Sequence, residues 1–323
     1  MALARRSWER LRAGQASMVA TEKVVNVADA PSPSARLTDF SHGGRISLRD
    51  RATAESSMSD HAPRITAFLR ASITRSRETE RVGPFLASFS GDTGNPFLSY
   101  AIPDDDAEPT LADVAALNSA YLRHERVPRI EYVPALAPVV EGVLLDAGWQ
   151  PENRLPLMVL AAGTSLDGDV PPGIQLVTPA TDAEFVATAA AQNEAYGGPP
   201  EGPEAGTALR RTTERGGRVV LAQVADTAEP IGGGVFVAPH DGVTEIAAIG
   251  VHERFRRSGV ATAMVRRLAQ EAREAGATTV FLMAESPVEE RIYARIGFET
   301  IGEMLHISDP AGHRYGTGAS DVG

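Results

Sequence analysis

Arg256-Arg257-Ser258-Gly259-Val260-Ala261 stands between an apolar run, residues 243–251, and a long helical pattern that reaches about Ala275. A glycine at such a junction can take positive φ, and its missing side chain lets neighbouring N–H groups reach an anion. A helix starting near Val260 adds the positive end of its dipole, with Ala261 and Thr262 in its first turn. Arg256 and Arg257 add charge-assisted donors. Strand, glycine turn and helix in this order predict a diphosphate cradle. The plainer alternative is an ordinary strand-to-helix turn closed by a glycine; the flanking pattern favours the cradle.

Further features lie outward from the loop. Tyr293 precedes Gly297 by four residues on the next helical pattern. A phenol there can hydrogen-bond a sulfur leaving group and protonate it; packed under the sheet it is a core tyrosine. Glu245 lies eleven residues before Arg256 and is either a solvated strand carboxylate or a general base. An alkylamine of pKa ~10.4 is mostly protonated at neutral pH, and freeing it costs about 4–5 kcal/mol. A carboxylate aimed at the amine can attract the cation and relay its proton. At Gly250 the strand is expected to bulge or splay from its neighbour, leaving backbone groups of Ile249, Gly250 and Val251 to pair with an extended amide chain.

The two halves of the chain align without gaps at a spacing of 149 residues. Gly148-Trp149 falls on Gly297-Phe298, Pro138-Val139 on Pro287-Val288, residues 130–133 on 279–282, and Tyr100-Ala101-Ile102 on Ile249-Gly250-Val251. The same register puts Ala107, Thr110 and Ala112 where the second half has Arg256, Gly259 and Ala261. Leu144 stands for Tyr293 and Pro96 for Glu245. Asp104-Asp105-Asp106 would repel a diphosphate there. The first half is therefore expected to keep the scaffold without binding the cofactor in the usual way.

The second half resembles the GCN5-related N-acetyltransferase superfamily over about residues 173–308, and the repeat extends the resemblance, degenerately, to about 80–160. The resemblance implies acetyl-CoA bound at the loop from Arg256 to Ala261, Tyr293 as general acid and Glu245 as base. It also implies direct transfer without an acyl-enzyme, which suits a chain with no cysteine. The arrangement is similar to bacterial two-domain members in which only the C-terminal half is active. Members often carry Asn seven and Ala four residues before the tyrosine; here Ser286 and Glu289 stand there, and Ser286 can still donate a hydrogen bond toward the pantetheine or a water.

The 323 residues suffice for two domains, and 43% of them are hydrophobic. Without cysteine there is no disulfide, thiolate zinc site or cysteinyl intermediate. The seven histidines show no metal-ligand spacing, so no metal is expected. A net charge of −11 argues against nucleic acid and suits solubility, with some preference for a cationic substrate. No run approaches the ~18 apolar residues of a membrane span, and a cytoplasmic monomer or homodimer is expected.

The fold class expected is α/β (α+β): two tandem domains, each a mixed, mostly antiparallel sheet with flanking helices. Residues 1–57 are expected to be a disordered extension, 58–165 the degenerate domain, 166–308 the catalytic domain and 309–323 a flexible tail. Helices are expected near 63–77, 111–125, 137–147, 181–196, 203–215, 260–275 and 287–296. Strands are expected near 82–90, 97–102, 129–133, 153–160, 174–177, 218–224, 231–238, 243–251, 278–284 and 298–307. The function expected is transfer of an acetyl group from acetyl-CoA to a primary amine of a small molecule or peptide. A non-catalytic acyl-CoA-binding module and a longer acyl donor are the alternatives.

Overall fold

The computed structural model describes residues 48–91, 98–198 and 203–309. Most of the segment expected to be disordered, the turn at 92–95, Pro199-Pro200 and the tail beyond Asp309 lie outside the described residues. Helix α1 (Leu48–Ser76) begins earlier than its periodicity marks, inside the segment read as lacking structure. Its buried face is the expected one, Ile65, Phe68, Leu69 and Ile73. The strand expected at 82–90 is instead a hairpin, β1 (Glu78–Val82) and β2 (Phe85–Phe89). Val82 pairs with Phe85, so Gly83-Pro84 form the turn, with Gly83 at φ +53°.

The first half continues with β3 (Ala101–Pro103), α2 (Leu111–Arg123), β4 (Arg129–Tyr132), α3 (Pro138–Asp146) and β5 (Gln150–Leu160). The second runs β6 (Ile174–Val177), α4 (Asp182–Ala195), α5 (Pro203–Glu214), β7 (Arg218–Val224), β8 (Pro230–Phe236), β9 (Val243–Val251), α6 (Val260–Glu274), β10 (Thr279–Met283), α7 (Pro287–Ile296) and β11 (Phe298–Ser308). Among the described residues no helix is long and apolar enough to cross a membrane.

The repeat is real in three dimensions. Helices α2 and α6 start 149 residues apart, as do α3 and α7. The glycines that end the latter pair, Gly148 and Gly297, both take positive φ, +87° and +110°. The pairings β3–β4 and β9–β10 are both parallel within otherwise antiparallel sheets.

Compactness does not follow chain order. One unit holds Ala54–Ser165, Pro239–Glu245 and the chain from Ala275; the other holds Leu166–Ala238 and Ile246–Glu274. In the first unit the strand order is β1-β2-β3-β4-β11-β5-β10, with Val243–Glu245 beside β10. The repeat-equivalent strands β5 and β11, eleven residues each, pair with one another along nearly their whole length. Each long strand has a second edge to satisfy. β11 gives its own to β4, so Leu305 and Ile307 pack into the core around Leu117, Tyr121 and Trp149. β5 gives its own to β10. The second unit is an antiparallel sheet of β6, β7, β8 and the Ile246–Val251 part of β9.

Gly232-Gly233-Gly234 make β8 a closely packed strand. A Cβ at Gly232 would lie 2.4 Å from the Gly250 carbonyl oxygen, one at Gly233 2.6 Å from Thr188 Cγ2, and one at Gly234 2.4 Å from Ile249 Cδ1. Backbone cannot yield as a side-chain tip can. Gly232→Ala is therefore expected to cost ~1–3 kcal/mol and lower the thermal midpoint. Gly142 offers a contrast: it sits inside α3 with open space where its Cβ would be. Gly142→Ala is expected to raise the midpoint through ~0.5–1 kcal/mol of helix propensity. Thermal unfolding of both variants checks the pair, and equal shifts would contradict it.

Candidate acyl-CoA site

The loop and strand lie in the second unit. A short 3₁₀ turn, Glu253–Phe255, leads out of β9 into residues 256–259. Arg257 takes φ +62°, and Gly259 φ +89°. Two left-handed residues so close together turn the chain sharply and expose amides, as in an anion nest. A Cβ at Gly259 would meet only Pro171, at 3.4 Å, so conformation rather than crowding demands glycine here. The first helical bond closes onto the Gly259 carbonyl from the Ala263 N–H, 3.0 Å. The Gly259, Val260, Ala261 and Thr262 N–H groups have no acceptor within α6. Val260 anchors this turn in the core, while Arg257, Ser258 and Gly259 are exposed.

Three other helix starts are closed by side chains of their own. At α2, Thr110 Oγ1 accepts from the Asp113 N–H, and Asp113 accepts from the Thr110 N–H at 2.8 Å. The Thr110 hydroxyl, which donates to the Asp113 carboxylate at 2.6 Å, and then the Thr110 N–H hold that carboxyl below its usual range. At α4, Thr181 and Glu184 form the same box. At α7, Ser286 Oγ accepts from the Glu289 N–H while Glu289 accepts from the Glu285 N–H. Each of these helices carries its own acid in the first turn. α6 has glycine before it and none.

Arg256 has a structural task as well. Its Nε donates to the Val251 carbonyl at 3.1 Å and its Nη2 to the Ala195 carbonyl at 2.7 Å. The guanidinium braces the loop against β9 and the end of α4, which commits two of its five N–H donors and leaves the others for an anion. Ser258 donates its hydroxyl to the Phe255 carbonyl, which also tightens the turn.

β9 bulges next to the predicted Gly250. Gly233 pairs with Gly250 and Val235 with Ala247, so Ala248 and Ile249 together oppose Gly234. Ala248 takes φ +54°. The buried Gln192 donates from Nε2 to the Ala248 carbonyl at 2.8 Å, and the Tyr196 hydroxyl donates to the Ile249 carbonyl at 3.3 Å. The parallel pairing of β9 ends where Glu245 meets Phe281, so among the described residues Ile246–Val251 pair with β8 alone. Sequence reasoning missed Gln192 and Tyr196, because nothing in the pattern of α4 marks a side chain aimed at a bulge.

Glu245, Tyr293 and Ser286 lie in the other unit. Glu245 is half-buried; burial, with the Glu131 carboxylate adding to it and Arg77 opposing, pushes its carboxyl up to about 7. Tyr293 is buried on α7, its ring 6.3 Å from that of Phe298. Burial, then the Glu289 and Glu285 carboxylates, hold its phenol well above the usual range. Among the described residues its hydroxyl makes no hydrogen bond. Ser286 is the N-cap of α7, which uses an oxygen lone pair and leaves its proton to give.

An acidless helix start behind a left-handed glycine turn, followed on the chain by a protonated buried tyrosine, suits a thioester-linked diphosphate. The sequence of residues 186–298 matches the acetyltransferase (GNAT) family. Over these residues the chain is similar to GNAT-family acetyltransferases. Every residue expected in the site lies within that span. A GCN5-related N-acetyltransferase from Kribbella flavida is 27% identical, with 78% of this chain and 96% of that chain covered and a TM-score of 0.65. A GCN5-related N-acetyltransferase from Sphaerobacter thermophilus is 16% identical over 70% of this chain and 76% of its own, TM-score 0.54. A tandem GNAT protein from the clavulanic acid biosynthesis pathway is 16% identical over 70% of this chain and 82% of its own, TM-score 0.50. The last two likenesses are of fold alone. No curated protein matches the sequence. The GNAT assignment carries acyl transfer as the class of chemistry, and the mixed, mostly antiparallel architecture in two tandem copies is that of the expected fold.

Proposed function

We propose that the protein transfers an acetyl group from acetyl-CoA to a primary amine of a small molecule or peptide, directly and without an acyl-enzyme. Residues 58–165 and 166–308 are proposed as the two copies of the duplicated segment, the second being catalytic. The observation that carries this reading is the contrast between equivalent helix starts: Thr110 and Asp113 close α2, whereas Gly259 and Thr262 leave α6 open.

In the proposed site the α6 amides and the Arg257 side chain hold the diphosphate, and the bulged backbone of Ile249–Val251 pairs with the pantetheine amides. Ser286 offers a hydroxyl to the same arm. The amine nitrogen attacks the thioester carbonyl, a carbon–nitrogen bond forms and the carbon–sulfur bond breaks. Glu245 takes the proton shed by nitrogen, and Tyr293 gives one to the departing sulfur. Release of free CoA from acetyl-CoA across a panel of amines tests the reading. Tight acetyl-CoA binding without release for any amine would favour the non-catalytic alternative. A ranking of acyl-CoA donors by thermal shift tests acetyl against longer chains.

Glu245 sets a pH dependence. With its carboxyl at about 7, the base form is lost as pH falls below that value. kcat/KM is expected to drop about tenfold per pH unit below that inflection, and Glu245→Gln to remove the inflection and lower the rate. Stability moves oppositely. A carboxyl raised from 4.5 to about 7 favours the folded state when protonated. That contribution is full below 4.5 and is lost as pH rises through 7. Glu245→Gln should therefore melt above wild type at pH 8, with the gap closing near pH 4. A wild-type profile without the inflection would remove Glu245 from the mechanism.

A further inference from the structure

The first half of the chain, which lacks the open helix start, holds a cavity of about 570 Å³. Arg75, Arg77, Arg126, His124, Phe89 and Ser90 line it, with Glu78 as the carboxylate on its wall. The rings of Phe89 and His124 stack at 3.6 Å and 9°, giving a flat face. Arg126 is fixed by backbone carbonyls: Nη2 donates to Ser90 at 2.8 Å and Nη1 to His124 at 3.1 Å, while its Nε is buried without a hydrogen-bond partner. The Arg77 guanidinium lies 4.7 Å from the centre of the Tyr100 ring and reaches the Ser88 hydroxyl at 3.4 Å.

In this unit Arg70 is matched to Asp105, Arg81 to Asp104 and Arg123 to Glu80, while Arg64 and Arg291 bond to neutral groups. Arg75, Arg77 and Arg126 form no ion pair among the described residues. In a chain of net charge −11, three such guanidiniums around one cavity amount to a preference for an anion. Arg77, on the cavity wall, is near enough to the proposed base Glu245 for its charge to act on that carboxyl. The volume suits a small molecule rather than a peptide chain.

We propose that the acceptor amine also carries an anionic group, a carboxylate or a phosphate, which binds in the cavity lined by Arg75, Arg77 and Arg126 while the amine addresses Glu245. The amine half of this inference rests on the acyl-transfer reading above; the anion half does not. It narrows the acceptor from any cationic amine to a zwitterionic or phosphorylated one.

The test uses the full chain with 4-aminobutyrate, O-phosphoethanolamine and n-butylamine, each titrated calorimetrically and each offered as acceptor with acetyl-CoA. At least one anionic amine is expected to bind about tenfold or more tightly than n-butylamine, the span of a charge-assisted pair. Which of the two binds better separates carboxylate from phosphate. Arg77→Gln with Arg126→Gln should erase the preference while acetyl-CoA affinity stays at wild type, which reports an intact fold. Arg75→Gln, at an exposed position, should reduce it without a folding risk. Equal binding of all three amines, or a preference that survives in both variants, overturns the proposal. Anion-selective binding without CoA release would support the cavity and overturn the transfer reading instead.

Discussion

Gly259→Glu is expected to abolish acetyl-CoA binding, with no heat above dilution in a calorimetric titration. Two effects combine. The glycine takes φ +89°, where an L side chain is strained by about 1 kcal/mol or more. The new carboxylate then does for α6 what Asp113 does for α2: it places an anion at the amides meant for the diphosphate. It also opposes the doubly charged ligand through Coulomb repulsion in the same few ångströms. Gly259→Ala separates the contributions, since it keeps the strain and omits the charge. That variant should weaken binding about tenfold, whereas the glutamate removes it. The nearest group to the added Cβ is a proline ring at 3.4 Å, so neither variant should unfold the protein. Wild-type affinity in Gly259→Glu would refute the placement of the diphosphate at this turn.

The sequence made much of this legible because the decisive features are local. A glycine before a helix, an acid at its third position and a tyrosine one turn from a terminal glycine are all short-range patterns. The register of 149 residues was equally readable, and α2, α3, α6 and α7 begin where it puts them. The closing box Ser286-Pro287-Val288-Glu289 was also present in the letters, since serine followed three residues later by glutamate marks a helix start. Read only against the family pattern, Glu289 looks out of place. The structure gives it two effects, a bond to the Glu285 N–H and a charge that helps hold the Tyr293 phenol protonated.

What the letters did not carry are the long-range pairings. β11 lies between β4 and β5, an exchange no periodicity specifies, because both strands show the same alternation wherever they pair. The donors of Gln192 and Tyr196 find the bulge only once α4 packs on β9, where Gly250 leaves room for Gln192 and Ala195. The same holds for Arg256. As a motif residue it reads as an anion ligand; the fold adds bonds to the carbonyls of Val251 and Ala195. Arg75, Arg77 and Arg126 were invisible as a set, since they come from the end of α1, the following residue and the segment after α2.

Tyr293→Phe is expected to lower kcat by ~10²-fold or more, the usual range of general acid catalysis, while KM for acetyl-CoA and the thermal midpoint stay near wild type. The phenol is held protonated by burial and by the Glu289 and Glu285 carboxylates, so it is an acid at every working pH. It is also weaker than a thiol, whose pKa is ~8.5. Full proton transfer therefore runs uphill until charge gathers on sulfur, and the hydroxyl acts first as a donor that strengthens as the carbon–sulfur bond lengthens. A group that acts only in the transition state should affect kcat and not binding. Phenylalanine keeps the ring packed against Phe298 and removes only the oxygen, which has no hydrogen-bond partner among the described residues. Glu289→Gln adds a second reading: with the charge gone, the phenol becomes a stronger acid, and any rate change should vanish in the Tyr293→Phe background. Unaltered turnover in Tyr293→Phe, with an amine that wild type acetylates, would take the phenol out of the reaction and leave the sulfur to find its proton in water.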